Sequence, residues 1–124
     1  MVFIIGGAFQ GKLDFVLKEY NIAKNDIFFA GKGEILPDRE IICGFHMLVK
    51  DWLINGLDPI NETIRLIENG NINIIISDEI GGGIVPVDAF ERKWREETGK
   101  CSCAVAKKAG RVIRIYAGIP QVIK

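Results

Sequence analysis

Gly6-Gly7-Ala8-Phe9-Gln10-Gly11-Lys12-Leu13 is the stretch on which the reading of this chain turns. Val2-Phe3-Ile4-Ile5 precedes it and has the length and β-branched content of a buried strand. Asp14 to Tyr20 follows and reads as helix. Strand, glycine-rich turn and helix in that order are the setting a phosphate-binding loop requires. Gly6 and Gly11 allow backbone angles that turn successive N–H groups onto one anion. Lys12 adds a point charge, and the start of the helix adds the positive end of its dipole. Gly6, Gly7, Ala8, Gly11 and Lys12 are therefore the candidate phosphate-binding residues. An ordinary glycine-rich turn is the plainer alternative. The pattern ends in Ser or Thr, whose hydroxyl ligates the Mg²⁺ carried by nucleotide phosphates, but here Leu13 stands in that place.

Outward from the loop, the chain reads as one domain over residues 1–124. Its length suffices for a single core. Sixteen basic and sixteen acidic residues cancel, so no basic excess points to nucleic acid. The apolar start is too short for a membrane span and has no basic leader or cleavage site, so a cytoplasmic protein is expected. Cys43, Cys101 and Cys103 lack zinc-like spacing, and their odd number suits free thiols in a reducing compartment.

Asp26 to Ala30 and Arg39 to Gly44 read as strands, with a loop over Gly31 to Asp38 that is expected only to connect them. The third strand ends in Cys43-Gly44, where phosphate-loop proteins usually carry a metal-holding acid. Phe45, Leu48, Val49, Trp52 and Leu53 form a helical stripe. His46, the sole histidine, is expected at a core margin, because the sequence places no orienting carboxylate beside it. Asp58-Pro59 opens a further helix that ends at Asn69-Gly70-Asn71.

Ile72 to Ile76 reads as a strand leading into Ser77-Asp78-Glu79-Ile80-Gly81-Gly82-Gly83-Ile84-Val85-Pro86. Ligands of open α/β sheets sit beyond strand carboxyl ends, so this stretch and the first loop should face one crevice. Asp78 and Glu79 are candidates for a metal, a ribose hydroxyl or a polar substrate group; a solvated acidic pair is the alternative. A helix over Val87 to Thr98 with Phe90 and Trp94 as packing residues, a stop at Gly99, and a short helix over Cys101 to Ala109 follow. Arg111 to Tyr116 and Gln121 to Lys124 read as an antiparallel edge hairpin turned by Ala117 to Pro120. Alternating strands and helices give an α/β fold with a mostly parallel sheet covered on both faces.

Three pieces together carry a family resemblance. Gly6-Gly7-Ala8-x-x-Gly11-Lys12, Ser77-Asp78-Glu79-Ile80-Gly81-x-Gly83-Ile84-Val85-Pro86 and the tail Ala117 to Lys124 resemble the bifunctional adenosylcobinamide kinase/adenosylcobinamide-phosphate guanylyltransferases. Phe90, Arg92, Arg95 and Gly99 fit the helix between the last two. The resemblance implies a three-layer, RecA-like P-loop NTPase fold and an enzyme of cobalamin biosynthesis. Such an enzyme phosphorylates a cobinamide hydroxyl and then transfers GMP from GTP through a guanylylated histidine. It implies GTP or ATP, with Mg²⁺, a corrinoid substrate, and a homo-oligomer of three copies joined through exposed apolar helices.

This chain departs from that pattern. Leu13 replaces a Ser, Phe9-Gln10 replace Arg-Ser, and Cys43 replaces a Glu. The segment that carries the family's histidine is far shorter, and His46 does not align with it. Losing one group that stabilises transferring charge costs about 10²–10³ in rate, and losing the covalent histidine removes its route. The expectation is a nucleotide-binding relative with a weakened kinase site. An active adenosylcobinamide kinase and a non-binding structural subunit are the alternatives.

Overall fold

A computed structural model describes all 124 residues. The elements are β1 (Val2–Gly6), α1 (Lys12–Glu19), β2 (Ile27–Phe29), β3 (Ile41–Cys43), α2 (Phe45–Ile54), α3 (Pro59–Asn69), β4 (Ile74–Asp78), α4 (Ala89–Lys108), β5 (Arg111–Tyr116) and β6 (Ile119–Val122). All six strands join one sheet in the order β2-β3-β4-β1-β5-β6, parallel except for the β5–β6 hairpin. β4 thus lies between β1, which carries the glycine loop, and β3. This is the mostly parallel P-loop-like α/β architecture that the element order implies.

The central strands are apolar at successive positions because both faces are covered. Phe3, Phe28, Ile42, Ile75 and Val112 pack with Phe45, Leu48, Val49 and Trp52 of α2 and with Cys101, Val105 and Ala109 of α4. The opposite face presents Ile4, Ile27, Ile41, Ile74, Ile76, Ile113 and Ile115, with Val16 of α1. Three helices therefore cover one face and a single eight-residue helix covers the other. No helix is long and apolar enough to cross a membrane.

Several boundaries differ from the sequence reading. The fourth strand ends at Asp78 rather than Ile76, because β1 pairs with it in a register that sets Gly6 beside Asp78. Asp78 is thereby a strand residue with a fixed direction. The two expected helices over Val87 to Ala109 are one helix, α4. Gly99 costs about 1 kcal/mol within it, which the burial of Cys101 and Val105 beyond it offsets. β6 begins at Ile119 because Ala117 and Gly118 alone form the turn, with φ of 50° and 76°. Two successive positive φ angles match the right-handed twist of a hairpin.

The connection over residues 31–38 is tethered from α2. The Gly33 N–H donates to the Asp51 carboxylate at 3.2 Å, and Trp52 Nε1 donates to the Ile35 carbonyl at 3.0 Å.

Candidate functional site

The carboxyl ends of β1, β3 and β4 open onto a cavity of about 580 Å³. Phe9, Gly11, Lys12, Cys43, His46 and Asp78 are among its lining residues. A slightly larger depression, about 630 Å³, lies at the opposite ends of the same strands, by Val2, Ile41 and Ile74. It has neither a glycine turn nor a buried cation, so chemistry favours the first.

The glycine loop is wound around its own lysine. Lys12 is buried, and its Nζ donates to the Gly7 carbonyl at 2.7 Å. Gly6 permits this winding by lying against β5: a Cβ there would come within 2.4 Å of the Ile115 carbonyl oxygen. Gly11 closes the loop with a φ of 86°. The hairpin tip pins the loop from outside. Gly118 N–H donates to the Gln10 carbonyl at 2.9 Å, and Ala117 N–H donates to Gln10 Oε1. The sequence reading marks Gln10 only as a departure from the family pattern and gives it no role in the site. Its partner lies 107 positions away, and no local pattern signals it.

Two helices begin at the cavity. Gly11 caps α1 and Gly44 caps α2, both in the left-handed region and neither with a side-chain cap. The leading N–H groups of both helices have no helical carbonyl to meet, so each start is a positive pole facing the same space.

Asp78 is the hub. Its Oδ1 lies 2.7 Å from Lys12 Nζ, and its Oδ2 lies 3.5 Å from His46 Nε2. The Asp78 backbone N–H donates to His46 Nδ1 at 3.2 Å, which assigns the ring proton of a neutral His46 to Nε2, toward the carboxylate. Burial holds His46 below its ordinary pKa of 6.5; Asp78 opposes that shift and Lys12 adds to it. Trp94 flanks the ring at 6.4 Å and 30°, and its Nε1 donates to the His46 carbonyl at 2.7 Å. So His46 does have an orienting carboxylate, contrary to expectation. The signal was its place one residue into the helix after β3, beside the strand that ends in Asp78.

Asp78 and Glu79 part company. Glu79 turns away to pair with Arg114, at 3.0 Å, and donates its own N–H to the Gly6 carbonyl at 2.9 Å. Gly6, Gly7, Ala8, Gly11 and Lys12 make up the loop itself, and Asp78 meets it from β4.

Donors for a protein-held Mg²⁺ are few. Leu13 packs against the core on the α1 face. Burial, with Asp78 adding, pushes the Cys43 thiol up and keeps it protonated. Both oxygens of Asp78 have partners, and no three His, Cys, Asp or Glu side chains gather anywhere. The residues present do not fit such an ion. Cys101 is buried and pushed up to about 11, chiefly by desolvation, while Cys103 on the same helix is exposed. They form no pair.

Comparison with known proteins bears on the second half of this site. The cobinamide kinase / cobinamide phosphate guanyltransferase family matches residues 46–123, more than half of the chain. That stretch holds His46, Asp78 and Glu79 and leaves out the glycine loop. The bifunctional adenosylcobalamin biosynthesis protein CobP of Pseudomonas aeruginosa is 35% identical over 51 residues, or 41% of this chain and 30% of that protein. The matched stretch thus spans under a third of that relative.

Proposed function

The chain belongs to the cobinamide kinase / cobinamide phosphate guanyltransferase family, and from that premise we propose that it binds the phosphates of GTP or ATP without efficient group transfer. The observation that carries this reading is Lys12, buried and curled onto the carbonyl of its own glycine loop at a strand carboxyl end. A cation held that way, with two helix starts beside it, is an anion cradle. Gly6, Gly7, Ala8, Gly11 and Lys12 form the cradle.

In the free protein Asp78 neutralises Lys12. An arriving phosphate meets that carboxylate as a like charge, so binding requires Lys12 to be shared or Asp78 to move aside. Phosphoryl transfer depends on metal and positive charge around the moving group. This site offers one lysine, two carboxylates (Asp78 and the exposed Asp14) and a neutral histidine. We assign Asp78 to positioning Lys12 and His46 to positioning Asp78. Glu79 anchors the turn after β4 through Arg114. The reading includes a role in corrinoid metabolism, a cytoplasmic location, and self-association as a homo-oligomer of three copies. Exposed apolar residues for such contacts lie on α2 (Ile54), on the loop after β4 (Ile84, Val85, Val87) and on β6 (Ile119, Val122).

Calorimetric titration with GTP and ATP, each with and without Mg²⁺, tests the proposal, together with an assay of cobinamide phosphorylation. Metal-independent binding with no phosphorylation is the expected result. Tight Mg²⁺-dependent binding with turnover would make the chain an active adenosylcobinamide kinase. Absence of binding to either nucleotide would leave a structural subunit.

A further inference from the structure

Phe9 combines two features that folding alone does not reward. Its φ is 59°, in the left-handed region that bulky L residues rarely enter. Its side chain is fully exposed, at 103% of the reference area, so the ring adds nothing to the core. It is nevertheless not on a loose tail. The next residue, Gln10, is fixed to the hairpin tip through both its carbonyl and its side chain. Phe9 also lines the cavity that holds Lys12, His46 and Asp78. A strained backbone that over-determined surroundings hold in place is a mark of ligand contact.

We propose that Phe9 is a binding residue that stacks on a flat unsaturated ring borne by the phosphorylated ligand whose phosphate lies in the loop. This rests on the phosphate-cradle reading above. An aromatic face beside a phosphate site suits the π-face of a ring, and stacking of this kind tolerates different rings. Both a purine base and a corrin macrocycle carry such a face.

The test uses three probes on the unaltered protein, Phe9→Ala and Phe9→Trp: inorganic tripolyphosphate, GTP and cobinamide phosphate, titrated calorimetrically. Because the ring touches no core, Phe9→Ala is expected to melt with the unaltered protein. Its affinity for tripolyphosphate should stay within about twofold, while its affinity for the stacked ligand falls about 5- to 100-fold. Phe9→Trp should restore that affinity. A loss confined to GTP identifies the ring as the base, and one confined to cobinamide phosphate identifies it as the corrin. Unchanged affinity for both ring-bearing probes overturns this inference alone. So does an equal fall for all three probes, or a change only in self-association. Failure of tripolyphosphate to bind the unaltered protein overturns the cradle and this inference together.

Discussion

Two glycine-rich turns leave neighbouring strands at the same end of the sheet, and they are built in opposite ways. The turn after β1 is wound on a buried cation, pressed against β5 through Gly6 and pinned by the β5–β6 tip. The turn after β4, residues 79–88, has no such centre. A Cβ added at Gly81, Gly82 or Gly83 would meet nothing within 4 Å, and Ile84, Val85 and Val87 are exposed. It is held from outside. Arg95 donates to the Ile84 and Gly82 carbonyls, both at 2.6 Å, and Arg92 donates to those of Pro86 and Val87. Glycine is common to both turns; an internal charge and close backbone contact are what set the first apart.

Substitutions should separate the two turns. Gly6→Ala drives a methyl against the Ile115 carbonyl and is expected to cost about 1–3 kcal/mol, read as a lower denaturant midpoint. A midpoint equal to that of the unaltered protein would mean that the β1 turn is as slack as the other. Asp78→Asn removes the negative charge from Lys12 and should tighten metal-free tripolyphosphate binding about tenfold by calorimetry. Weaker binding in that variant would assign Asp78 to holding the ligand rather than competing with it.

The pH dependence follows from His46. Its folded pKa lies below the ordinary value, so the unfolded chain binds the extra proton first. The stability that neutral His46 contributes is whole above about 6.5 and is lost as pH falls through the lowered folded value. Chemical denaturation between pH 8 and 5 should show a steeper acid loss for the unaltered protein than for His46→Asn. Identical slopes would remove His46 from the charge network. The smallest effect is expected for Gly82→Ala, within about 0.5 kcal/mol, since an added methyl there meets open space.

The difference between the turns also marks what the sequence could convey. Successive isoleucines in β1 and β4 announce strands buried on both faces, and the glycine spacing announces the turn after β1. Asp58-Pro59 places the start of α3 to the residue. Gly99 reads as a stop and is not, because helix continuity there is decided by burial of Cys101 and Val105, which is tertiary. The fates of Asp78 and Glu79 are indistinguishable in sequence. Strand register alone turns the first toward Lys12 and the second toward Arg114. His46 and Gln10 join the site across strand neighbours that no local window contains.

The most direct test of the central claim, that the β1 turn is a working anion cradle organised by its lysine, is titration of inorganic tripolyphosphate into the unaltered protein and Lys12→Ala, with melting curves of both. The account predicts measurable binding to the first and a loss of about 100-fold or more in the second, with the fold retained. Equal affinities in two folded proteins would contradict it.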